Sequence, residues 1–119
     1  MYQIREVTLK NKHEERKRLV IEFEDPAQAI VGEFLMTDAS LLNYSVLEDL
    51  NKVIAKECTN LESSGNRCFL KIKPDKTYLE DLFEGLFTDV DTLPPYEINT
   101  KKLRDLVVMW KEKMAELNE

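Results

Sequence analysis

The chain contains one histidine, three scattered glycines and two cysteines, and each scarcity removes a class of chemistry. Acyl transfer by serine or cysteine wants a histidine base. His13 lies in the charged stretch "KNKHEERK", beside no evident partner. Phosphate cradles need glycines clustered ahead of a helix start, whereas Gly32, Gly65 and Gly85 are far apart. Metal sites need ligands at close, suitable spacing. Cys58 and Cys68 stand ten residues apart without a CxxC, and "DVD" at 89–91 lacks the glycine and closing glutamate of a calcium loop. Two buried carboxylates could do acid–base work, but nearly all the acids fall on predicted polar faces or in loops. The expectation is a protein that is no enzyme and holds neither cofactor nor metal.

Long apolar runs are also missing. None approaches the roughly 18 to 20 residues that a membrane crossing requires. The start, "MYQIREVTLK", lacks the apolar stretch and small-residue cleavage site of a secretory signal. With Met1 as the natural start, the expected location is the cytoplasm, where Cys58 and Cys68, which could pair across a short loop, are expected to stay free, semi-buried thiols. At 119 residues, 43% apolar and 34% charged, the chain reads as a single domain, 1–119, large enough for one core.

The charge that is present is unevenly placed. Residues 21–51 hold seven acids and no lysine or arginine, and residues 75–97 hold seven more against Lys76 alone. Such blocks repel phosphate backbones and attract basic proteins, so direct nucleic-acid binding is disfavoured.

Periodicity places the elements. "QIREVTL" and "RLVIEFE" read as an antiparallel hairpin with Leu19, Ile21 and Phe23 on one face and Glu22 and Glu24 on the other. Residues 26–37 fit two patterns. Ala27, Ile30, Val31, Phe34 and Leu35 match a helix that Asp25-Pro26 would start, and Ile30, Gly32, Phe34 and Met36 match a strand face; the strand is the preferred reading. "SVLE" at 45–48 is a capping box for a helix over about 45–57. "NLESSGN" reads as a loop, "RCFLKIK" as a strand with Cys68, Leu70 and Ile72 inside, and "PDK" as a turn. "TYLEDLFEGLF" at 77–87 also fits both helix and strand, and the tight turn before it favours a hairpin partner. "TDVDTLPPYE" reads as a loop around Pro94-Pro95. Last comes a helix capped by Asn99 or Thr100, whose stripe of Leu103, Leu106, Val107, Trp110, Met114 and Leu117 faces the core. The predicted fold is therefore α+β: an antiparallel sheet of about four to five strands with a central helix and an amphipathic C-terminal helix.

Lys101 and Lys102 stand at the start of that last helix, where the dipole prefers acids by about 0.3–1 kcal/mol per charge. The acids of "EDLFEGLFTDVD" would offset the mismatch; the alternative is that the lysines meet an external anion or an acidic partner.

Two stretches, "SGNRCFLKIKPDKTYLEDLF" (64–83) and "YEINTKKLRDLVVMW" (96–110), resemble segments of small cytoplasmic immunity proteins from bacterial toxin–immunity systems, including contact-dependent growth inhibition. The resemblance spans roughly a third of the chain and is one of texture rather than of an invariant motif, so no contact residue carries over. It implies a cytosolic protein that binds one cognate toxin domain, often a nuclease, and blocks it. Nuclease clefts are basic because they hold polyanions, and an acidic domain can fill one with electrostatic steering. A small cytosolic adaptor or regulatory protein-binding module is the alternative. The expected binding face is the second acid block with its proline-stiffened loop: Glu80, Asp81, Glu84, Asp89 and Asp91, with Tyr96 as an aromatic anchor. Glu22, Glu24 and Asp25 form the rival face.

Overall fold

The computed structural model describes residues 2–10, 12–39, 44–65, 67–82 and 93–117. It is an α+β fold, as the periodicity predicts, with its strands divided between two antiparallel sheets. The first sheet is the hairpin of β1 (Tyr2–Lys10) and β2 (Glu15–Phe23), in register from Tyr2 opposite Phe23 to Lys10 opposite Glu15. Its base packs on the core through Leu19 and Ile21. Farther out, Thr8–Lys10 and Glu15–Arg18 are exposed on both faces, so the hairpin ends as a projecting ribbon.

Residues 26–37 form helix, which corrects the strand preferred from sequence. The Asp25 carboxylate accepts the Ala27 N–H at 2.9 Å and opens a 3-10 turn, Pro26–Gln28. Helix α1 (Ala29–Phe34) and a wider π-type turn, Leu35–Ala39, follow. The helix wins because it buries Ile30, Val31, Phe34 and Leu35 together; a strand would turn Val31 and Leu35 away from that face.

Helix α2 (Val46–Ile54) lies within the predicted 45–57, but the capping box does not form. Ser45 is itself in helical geometry and makes no side-chain cap. The chain enters instead from Tyr44, whose positive φ of 60° sets a turn with Leu47 N–H donating to the Tyr44 carbonyl at 3.0 Å. Lys56, at φ 65°, closes the other end in the left-handed geometry usually given to glycine.

The second sheet has the order β3-β4-β5-β6. It comprises β3 (Leu61–Ser64), β4 (Cys68–Ile72), β5 (Lys76–Asp81) and β6 (Tyr96–Asn99). Strand β4 turns Cys68, Leu70 and Ile72 inward as predicted, and the hairpin reading of 77–87 holds for residues 77–81, within β5; residues 83–87 lie outside the described residues. Two expected loops are partly strand: "NLESSGN" contains β3, and Tyr96 and Glu97 belong to β6. Both are four-residue edge strands, and their pairing with β4 and β5 supplies the order that local pattern does not.

Helix α3 (Thr100–Leu117) leads directly out of β6. The Asn99 side chain caps it by accepting the Lys102 N–H at 3.1 Å. The Thr100 hydroxyl is buried and donates to the Lys73 carbonyl at 2.6 Å. A hydroxyl has one proton, so the 2.9 Å contact between Thr77 and Thr100 has Thr77 donating. Trp110, 1% exposed, sits in one apolar cluster with Leu103, Val107, Leu50, Phe34 and the inward residues of the sheet.

Candidate protein-binding surface

Strand alternation divides the predicted acid block. Glu80 lies on the face of β5 turned away from the helices, opposite Phe69 of β4. Asp81, the next residue, must point the other way, and it is only 2% exposed. Its carboxylate accepts from the Arg67 guanidinium at 3.1 Å and from the Leu93 N–H at 2.9 Å. Asp81 is thus committed inside the fold, which corrects its placement on a binding face. Glu84, Asp89 and Asp91 lie outside the described residues. Tyr96 shares the side of Leu79, its register partner, so it is not on Glu80's face either.

Asp81 belongs to a cluster that sequence reading missed. Arg67 also reaches Glu33 at 3.3 Å, tying α1 to the ends of β4 and β5. Asp38, 1% exposed on the π-type turn, accepts the Cys68 N–H at 2.6 Å and the Arg67 N–H at 3.2 Å. Gly65 is required beside it, because a Cβ there would sit 2.5 Å from the Asp38 carboxyl. Burial, reinforced by the Asp38 and Asp81 carboxylates, pushes the Cys68 thiol up to about 12. A thiol so protonated is a poor nucleophile at neutral pH. Cys58 and Cys68 are both free. These four charged groups spend their polarity on one another and on backbone amides, so the cluster reads as a clasp between elements.

What faces outward is different. On the outer face of the four-stranded sheet, register sets Glu62 opposite Lys71, Lys71 opposite Tyr78, Tyr78 opposite Glu97, and Phe69 opposite Glu80. With Lys76 opposite Asn99, this face carries three acids, two half-buried aromatic rings and two lysines.

At the β6 edge, a groove of about 430 Å³ opens where the hairpin base, β6 and the start of α3 converge. Its apolar lining includes Tyr2, Phe23, Tyr96 and Leu106, and its charges are Glu97, Lys102 and Asp105. Tyr2 and Phe23 meet edge to face at 5.7 Å, and the Gln28 amide donates to the Tyr96 hydroxyl at 3.2 Å. Lys102 therefore shares this groove with two carboxylates of its own neighbourhood. Of the stretch expected to offset it, 80–91, Asp81 is buried and Glu80 lies on the outer sheet face, and residues 83–91 lie outside the described residues. Lys101 is exposed.

The rival acids are at the hairpin base. Glu22 is exposed and ion-paired with Arg5, Asp25 spends one oxygen on the Ala27 cap, and Glu24 is exposed. No sequence motif announces the outer sheet face or the groove, since both assemble residues from distant segments. No protein-family model, curated protein or solved structure matches the chain.

Proposed function

We propose that the protein binds another protein, as an immunity protein that occludes the basic active-site cleft of a cognate toxin domain, a nuclease. The observation that carries this reading is the outer sheet face. Glu62, Glu80 and Glu97 flank Phe69 and Tyr78 there and outnumber Lys71 and Lys76 on the same face, giving aromatic anchors among mostly acidic charges. Aromatic residues supply strong contacts at the centre of interfaces, and rim charges set approach rate and discriminate between partners. A wider charge asymmetry supports it. Residues 5–18 hold six basic side chains against three acids, and the rest of the chain holds twenty acids against eleven bases. The chain outside residues 5–18 is thus more acidic, at −9, than the net charge of −6 conveys.

The test is to read the frame immediately upstream and, where it encodes a large protein, to co-express that protein's C-terminal domain with this chain. The expected result is suppression of that domain's toxicity and a stoichiometric complex. The triple reversal Glu62→Lys, Glu80→Lys, Glu97→Lys should slow association about tenfold or more at low salt. It should cost little in melting, because Glu62 and Glu97 are exposed, where a charge contributes about 0–1 kcal/mol. The loss should come mainly from half-buried Glu80 and from the like charge set opposite Lys71. Toxicity undiminished with no complex formed would overturn the immunity reading; a complex indifferent to the triple reversal would move the face elsewhere.

A further inference from the structure

The groove at the β6 edge holds charges of both signs that the chain itself leaves apart. Asp105 is engaged by Arg104 at 2.8 Å. Glu97 and Lys102 are both exposed, and among the described residues neither side chain has an ion-pair partner within 4.0 Å. Unlike charges that line one groove without meeting leave room for a molecule that carries both. The place of Lys102 in the fold agrees. It stands in the first turn of α3, which has no acid, so its ammonium adds to the positive end of an 18-residue helix. A carboxylate bound there relieves that like-sign pairing. Neighbouring groups can help to hold a ligand. The Asn99 side chain uses its oxygen on the Lys102 N–H and keeps its amide hydrogens to donate. The Tyr96 hydroxyl accepts from Gln28 and keeps its own proton. The remaining wall is apolar, built from Tyr2, Phe23 and Leu106. Tyr2 is 40% exposed and meets Phe23 edge to face. At about 430 Å³ the groove is near the small end of ligand pockets, which run from roughly 300 to 1,000 Å³.

We propose that this groove binds a free α-amino acid with an aromatic or large aliphatic side chain. Its carboxylate meets the Lys102 ammonium and the Asn99 amide, and its ammonium meets Glu97. Its side chain lies against Tyr2, Phe23 and Leu106, where apolar surface leaves water. The two charges of an α-amino acid flank a single carbon, so one small molecule bridges Lys102 and Glu97 where they do not reach each other. A ligand of one charge satisfies only one of them and gives up the other attraction. A nucleotide is a poorer occupant, because its several negative charges meet two carboxylates as well as one lysine. The site stands apart from the immunity reading, although Glu97 borders both the groove and the outer sheet face.

The test is titration of the isotope-labelled full chain with L-phenylalanine, followed by amide shifts in nuclear magnetic resonance. Phenethylamine, which lacks the carboxylate, and phenylpropionate, which lacks the ammonium, are the paired controls. L-phenylalanine should shift the amides around Tyr2, Phe23 and residues 96–106, with a Kd of about 1 mM, and each control should bind at least about tenfold more weakly. Two variants assign the charges. Lys102→Met should abolish the preference over phenethylamine and keep the preference over phenylpropionate. Glu97→Gln should do the reverse. Both replaced side chains are exposed, so melting like that of the parent is expected and confirms folding. No shift up to about 20 mM L-phenylalanine overturns the inference. So do shifts centred away from the groove, equal binding of all three compounds, or preferences that neither variant changes.

Discussion

Replacing Arg67 with methionine should cost more stability than any surface change. The Arg67 side chain is 19% exposed and bridges Asp81, 1% exposed, to Glu33, 26% exposed. Methionine fills much of the same volume without the charge. Removing one partner of a buried ion pair typically costs about 3–5 kcal/mol, because the remaining charge has lost both water and partner. Here Asp81 keeps the Leu93 N–H, and Glu33 is open enough to regain water. The loss therefore falls at the lower end, about 3 kcal/mol, which for a domain of this size lowers Tm by about 10 °C. Arg67→Lys should recover little, since one ammonium cannot reproduce a fork that spans two carboxylates. Urea and thermal denaturation followed by circular dichroism measure the loss. Adding Asp81→Asn to Arg67→Met removes the stranded charge and should return about half of it. A single variant within about 1 kcal/mol of the parent would refute the argument, and so would a double variant whose loss is the sum of the two.

Gly65→Ala should cost about 1–3 kcal/mol in urea titration, because the new Cβ falls 2.5 Å from an Asp38 carboxyl anchored by two amides. Gly32→Ala, whose Cβ would meet the Ile21 carbonyl at 3.4 Å, should cost much less. Cys68 gives a pH dependence. An unfolded thiol ionises near its model value of 9.0, and the folded one stays protonated to about 12. Its contribution is therefore intact below about pH 9 and drains away as pH rises from 9 to 12. The urea midpoint should fall more steeply above pH 9 in the parent than in Cys68→Ala, whatever the variant's absolute stability. Lys56→Gly should raise stability by about 0.5–1 kcal/mol, relieving a left-handed residue at the end of α2, and equilibrium unfolding would show it.

The elements that proved legible were those whose burial is periodic over several residues. β4 alternates Cys68, Leu70 and Ile72 inward, and α3 repeats Leu103, Val107 and Trp110 on one side. A face that must be buried imposes its period on the sequence whatever it packs against. Residues 26–37 carried two periods at once, and only the core that receives Val31 and Leu35 chose between them. β3 and β6 are too short to show a period, and each becomes a strand by pairing at a sheet edge. The Ser45 capping box was locally sound, but the backbone turn at Tyr44 places Ser45 inside helical geometry.

The sequence by itself determined the fold class, the core stripes, the uneven charge and the thinness of its catalytic inventory, because these depend on composition and short-range spacing. Tertiary structure alone decided which acids face solvent. It sent Glu80 outward and Asp81 inward, drew Glu33, Asp38, Arg67 and Asp81 into one clasp, and gathered Tyr2, Phe23, Tyr96 and Lys102 around one groove. The physical reason is that a single strand or helix fixes only which residues share its own side. Which side is buried, and what meets across it, depends on chain segments as much as a hundred residues apart, as Tyr2 and Lys102 are.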